Sequence, residues 1–193
     1  MRGCSASAPP PPAWLIPSLV CLSLLTTVEP ARATSLRRMD LPEVVAVADR
    51  IVHARVVQNR TYWSPAGQVL TDTVFDVVSD VKGSGAKTLT ITQLGGRIGG
   101  IEVSVEGTPA FAVGEEVVLL SELTRGGTRV VVGLSQGLMR IHVDPQTGEK
   151  TAVSEAIPES VTVVGGRSQR AAARLETLLE DLRRMSAAGG GKP

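Results

Sequence analysis

The chain has 193 residues, with 20 Lys+Arg against 19 Asp+Glu, two cysteines and only 3% aromatic residues. Residues 1–33 differ in character, and setting aside their Arg2, Arg32 and Glu29 leaves 18 basic and 18 acidic side chains in residues 34–193. That balance argues against charge-driven binding to nucleic acid or an anionic membrane, and with Cys4 and Cys21 both in the first stretch, the remainder has no disulfide framework, thiol nucleophile or cysteine-ligated zinc.

Residues 1–33 read as a secretory signal peptide. Arg2 gives a positive start, Trp14–Leu25 is an apolar segment of h-region length, and Ala31-Arg32-Ala33 places small residues where a signal peptidase inspects them. Cleavage is expected after Ala33, giving a secreted or periplasmic product that meets a membrane only through the uncleaved leader. The apolar run falls short of the ~20 residues of a membrane span, and Pro17 interrupts it. Leu19-Val20 before Cys21 is too bulky for a lipidation site. An exported chain without disulfides fits a bacterial source.

Beyond the leader, Asp40 is placed to N-cap a short helix, with Pro42 in the first turn and Glu43 completing a capping box; the helix is expected to end near Asp49. Strand periodicity follows over Ile51–Val57 and, past the turn Ser64-Pro-Ala-Gly67, over Val69–Val81. Thr88–Leu94 predicts a third strand, and Gly95–Gly100 a turn or bulge before Ile101–Val105. Val117–Leu123, Arg129–Leu134, Leu138–Val143 and Lys150–Val153 complete the series, separated by Arg125–Thr128 and Asp144–Gly148 turns. Short valine-rich strands at this spacing predict a mainly β domain, a barrel or sandwich, over residues 34–154. Residues 155–166 read as a linker. An amphipathic helix is expected over 167–188, with Ala171, Leu175, Leu178, Leu182 and Met185 on its apolar stripe, and a disordered tail over 189–193.

Three segments carry a resemblance: Ala48-Asp49 running into Ile51–Val57, Phe75-Asp76-Val77 followed by Val81-Lys82-Gly83, and Val113-Gly114-Glu115 before an apolar strand. Together they resemble netrin-like modules, which include the tissue inhibitors of metalloproteinases. Leu94–Gly100 and Val131–Gly137 are similar to segments of uncharacterised secreted bacterial proteins. The resemblance spans roughly residues 45–143 and implies a single five-stranded OB-like Greek-key barrel, flanked here by the short N-terminal and amphipathic C-terminal helices. It implies no activity: the animal inhibitors engage a protease's zinc through an N-terminal cysteine, and residues 34–193 hold none.

Each candidate site has a competing structural explanation. Gly133-Leu-Ser135-Gln-Gly137 matches the Gly-x-Ser-x-Gly of hydrolases, but a strand-like Leu138–Val143 follows where a helix is required, and His142 is the only later histidine. Gly95–Gly100 lacks the Lys-Ser/Thr ending and the helix of a phosphate loop. Asp72, Asp76 and Asp80 are spaced ~13 Å apart along a strand, too far for one metal, and His53 and His142 cannot make a three-histidine zinc site. Asn59-Arg-Thr61 is a glycosylation sequon, relevant only in a eukaryotic secretory host.

Tyr62 and Trp63 stand apart. The only tyrosine and only tryptophan of residues 34–193 adjoin one another beside a turn; side chains of adjacent strand residues point to opposite faces, so one of the pair is left poorly buried. Plugging a barrel end is the competing explanation. The expected function is an exported, non-enzymatic binding module without metal or cofactor. Its partner is an exported protein such as a protease, or a surface polymer, and Tyr62 and Trp63 are its binding residues. A secreted serine hydrolase using Ser135 and a structural envelope component are the alternatives.

Overall fold

The computed structural model describes residues 35–154, 162–164 and 172–189. The expected leader over 1–33 and most of the expected linker and tail lie outside the described residues. The chain is mainly β. In order, it runs β1 (Ser35–Arg37), α1 (Leu41–Val47), β2 (Arg50–Trp63), β3 (Val69–Lys82), β4 (Thr88–Leu94), β5 (Gly96–Ile98) and β6 (Ile101–Val103). It continues through β7 (Glu116–Leu123), β8 (Arg129–Val131), β9 (Leu138–Val143), β10 (Lys150–Ser154), β11 (Thr162–Val164), β12 (Ala172–Arg174) and α2 (Leu175–Gly189).

The capping box forms as the sequence predicts. Asp40 Oδ1 accepts from the Glu43 amide at 2.9 Å, and Glu43 Oε2 accepts from the Asp40 amide at 3.3 Å. At the other end of α1, Lys82 Nζ donates to the carbonyls of Val45 and Ala48 at 2.7 and 2.6 Å, placing a cation on the negative end of the helix.

An antiparallel sheet in the order β12-β10-β9-β7-β2-β3-β4, with β8 beside β7, carries the fold. β2 is the hub: its first half pairs with β7 and its whole length with β3. Alternation along the strands builds one core on each face of this sheet. On one face Ile51, Val118, Leu120 and Met139 pack under α1 and α2; on the other, Val52, Ala54, Val117 and Leu119 meet Phe75, Ile91 and Phe111. Phe75 and Phe111 stack edge to face at 5.0 Å.

One expectation is met in part and three are corrected. No ladder joins β4 to β8 among the described strands, so hydrogen bonding does not close the sheet, although the two strands come near each other. The glycine-rich stretch 95–100 is part of a small hairpin, β5–β6, because Gly95 and Gly96 take φ of 92° and 130° and turn the chain off β4. The expected linker contains β11, which pairs in parallel with β1. The C-terminal helix begins at Leu175, since residues 172–174 pair with β10 as β12 instead of extending the helix. Leu175, Leu178, Leu179 and Leu182 of α2 are buried, and the helix covers the first core.

Candidate functional site

Register slips in β2 decide where its aromatics point. Val57 is skipped in the pairing with β3, so Val56 faces Phe75 and Gln58 faces Val74, and the alternation restarts one residue later. From there Asn59, Thr61 and Trp63 share the face of Thr73, Thr71 and Val69, while Arg60 and Tyr62 share the face of Asp72 and Leu70. Tyr62 and Trp63 therefore point to opposite faces.

Tyr62 is half-buried at one end of a cross-strand row, Tyr62–Leu70–Leu94. Its hydroxyl donates to Asp72 Oδ1 at 3.3 Å, the same oxygen that accepts from Thr92 Oγ1 at 2.7 Å, and the Arg60 guanidinium lies 5.8 Å from the ring centre. Partial burial, then the neighbouring Asp72 carboxylate, hold the phenol above its usual 10.0 and outweigh the opposing pull of Arg60. The row walls a mainly apolar pocket of about 380 Å³, completed by Pro109 and by Val130, Val131 and Leu134 from the β8 side. It occupies the approach between β4 and β8 that hydrogen bonding leaves open. Trp63, the next residue along β2, points to the other face with 52% of its surface exposed, and Leu94 is 44% exposed.

On the opposite face of the same strands lies a second, more polar pocket of about 250 Å³ with a mixed lining. In it Asn59, Thr61, Thr71, Thr73 and Gln93 meet apolar side chains such as Val103 and Phe111 of the segment 102–111 that roofs it. The two pockets share Gln93, Leu94, Thr108 and Pro109 as walls. Nothing in the sequence signals this pairing: its residues come from three strands and a loop, and the threonines read as ordinary strand formers.

The Gly133–Gly137 segment is a turn between β8 and β9. Ser135 is 2% exposed and its hydroxyl finds no hydrogen-bond partner among the described residues. Gly133 and Leu134 both take left-handed conformations (φ 59° and 62°), the Leu134 side chain reaches the apolar pocket, and a Cβ on Gly137 would lie 2.5 Å from the Leu120 carbonyl oxygen. Gln136 clamps the N-terminal segment: its amide oxygen accepts from the Met39 amide at 2.8 Å and its Nε2 donates to the Arg37 carbonyl at 3.0 Å. Every residue of the motif thus has a structural task except the Ser135 hydroxyl.

His53 contacts Glu116, not Ser135. Its Nε2 lies 2.5 Å from Glu116 Oε1, which also accepts from Lys150 Nζ at 2.6 Å, while Arg55 approaches the second oxygen at 3.5 Å. Burial works to raise the Glu116 pKa, but the hydrogen bonds from Lys150 and His53 outweigh it and hold the carboxyl below the usual 4.5. Sequence reasoning passed over this cluster, although a histidine and an arginine on an otherwise apolar strand face were its signal. His142 is exposed, opposite Thr151 on β10. Asp72 and Asp80 serve separate partners, Tyr62 with Thr92 and Arg50, and no three His, Cys, Asp or Glu side chains gather into a metal site among the described residues. Asn59, the sequon asparagine, donates to the Phe111 carbonyl at 2.7 Å.

The segments that carry the resemblance have physical roles as well. Asp49 accepts from the Leu123 amide at 2.7 Å and pairs with Arg129, tying the start of β2 to the β7–β8 hairpin. Gly83, at φ 70°, passes so close that a Cβ would lie 2.8 Å from the Asp49 carbonyl oxygen. Compared with known proteins, the chain matches no family model and no curated protein.

Proposed function

We propose that the chain is an exported, non-enzymatic binding module, released by cleavage after Ala33 into the periplasm or medium of a bacterium. Its scaffold is read as an OB-like, netrin-like barrel, in which the near approach of β4 and β8 stands for barrel closure. The observation that carries the reading is the Tyr62–Leu70–Leu94 wall of the apolar pocket, with Trp63 exposed on the other face of the same end of β2. An apolar pocket with a few placed polar groups and one aromatic wall residue, Tyr62, suits the anchoring of a partner. The partner class is an exported protein, such as a protease, or a surface polymer.

The test is capture of partners from the producing organism's exported fraction, using tagged protein alongside Trp63→Ala and Tyr62→Ala. Recovery by wild type and loss with either variant supports the module and locates its face. Equal recovery with all three proteins places the binding surface elsewhere, and no recovery from protein or polymer fractions removes the reading.

A further inference from the structure

We infer that the polar pocket binds a neutral oligosaccharide, one ring seated in the pocket and the next against Trp63. The inference rests on the binding-module reading and names the ligand class of its polymer arm.

The chemistry of the lining selects the class. The polar side chains of the lining, Asn59, Thr61, Thr71, Gln93 and Thr108 among them, are uncharged, while Thr73 is only 1% exposed. Thr71 Oγ1 donates its proton to the Gly95 carbonyl at 2.7 Å and Asn59 Nδ2 donates to the Phe111 carbonyl at 2.7 Å, so these two side chains offer oxygens as acceptors. The carboxylate at the rim, Glu102, is already engaged by Arg97 at 2.6 Å. An anionic or cationic ligand would find no unopposed counter-charge here. A sugar hydroxyl can donate to such acceptor oxygens and accept from an amide such as that of Gln93, so the lining suits a neutral polyol better than a charged group.

Size and placement agree. At about 250 Å³ the pocket is smaller than the ~300 Å³ at which drug-sized ligands begin to fit, which suits a single ring. The main chain at Gly96 forms its lip: a Cβ there would lie 2.2 Å from Thr71 Oγ1, so only glycine lets the hairpin β5–β6 pass over the threonines without filling the space. Trp63 follows Thr61 on the same face of β2, about 6.6 Å further along the strand, and its exposed indole offers a flat apolar surface to the C–H face of an adjoining ring.

The full chain carrying Trp14→Phe tests this, because Trp63 is then its sole tryptophan. Its fluorescence is titrated with glucose, maltohexaose, cellohexaose and chitohexaose, with hexagalacturonate as the charged control. A saturable change with at least one neutral hexasaccharide, at a Kd of roughly 0.1–1 mM, is expected, with glucose weaker because it cannot reach both surfaces. Gln93→Leu and Thr108→Val, which keep the shape of the wall, should each weaken binding about tenfold, and calorimetry on Trp63→Ala should show a comparable loss. No response to any neutral sugar up to about 10 mM, or a response to hexagalacturonate alone, overturns the inference. Binding that survives both wall variants also overturns it. Partner capture that still depends on Trp63 would then retain the binding module while removing the sugar; loss of both results would remove both.

Discussion

Replacing Ser135 by alanine should make the protein more stable. The hydroxyl is 2% exposed at residue level and unpartnered among the described residues, so in the folded state it has given up water and gained nothing in return. Leaving a polar group buried in this way costs about 1–3 kcal/mol. Removing one oxygen leaves a void of roughly 10 Å³, which at about 24 cal/mol per Å³ returns only ~0.3 kcal/mol of that gain. The net is a stabilisation of about 1–2 kcal/mol, or a rise in Tm of about 3–6 °C for a domain of this size. Urea denaturation and calorimetry of wild type and Ser135→Ala measure it directly. Gly137→Ala in the same turn sets the opposite limit: its Cβ would meet the backbone oxygen of Leu120, and a loss of about 2–4 kcal/mol is expected. A Ser135→Ala protein destabilised by more than about 1 kcal/mol would refute the reasoning, because the hydroxyl must then be making a bond that matters. Ester hydrolysis by wild type that disappears in the variant would assign the hydroxyl a chemical task instead.

Glu116 predicts acid sensitivity. Its folded pKa lies below the ordinary value, so its contribution to stability is complete above about pH 4.5 and is lost as pH falls through the folded value; Glu116→Gln should flatten the acid limb of a Tm-against-pH profile. Lys82→Met removes the cation that holds the Val45 and Ala48 carbonyls and should cost about 1–2 kcal/mol in urea unfolding. Phe75→Ala empties the centre of the second core, where Phe75 is fully buried against Phe111, and should cost about 3–5 kcal/mol. Trp63→Ala, at an exposed position, should leave stability within about 0.5 kcal/mol of wild type while altering binding.

The parts of the fold legible in the sequence were those fixed by neighbours in the chain. Asp40 and Glu43 announced α1 because a capping box is complete within four residues. Ser64–Gly67 announced the β2–β3 turn, the apolar run Val117–Leu120 announced β7, and the alternation of Leu138–Val143 announced β9. What stayed hidden depended on distant partners. Residues 172–174 have helical composition, yet they lie as β12 because β10 offers them a ladder. The length of β2 was underestimated because the skip at Val57 resets the alternation and makes Gln58–Trp63 look like a departure from the strand. The adjacency of Tyr62 and Trp63 was visible, and their opposite orientations followed from strand geometry. The apolar pocket that Tyr62 borders was not, since Leu70, Leu94, Pro109 and Leu134 come together only once the sheet has curled.

The position of β2 also sets a timetable for folding. Its pairing with β3 is local, across the short Ser64–Gly67 turn, but its other edge waits for β7, with Arg50 opposite Ser121 about 70 residues later. A ribosome adding 5–20 residues per second needs about 4–14 s to make that stretch. Throughout that interval the hairpin exists without either core, for Val117–Leu120 supply both faces at once. Both cores therefore wait for β7, and until it arrives the edge of β2 stays unpaired and its apolar faces uncovered.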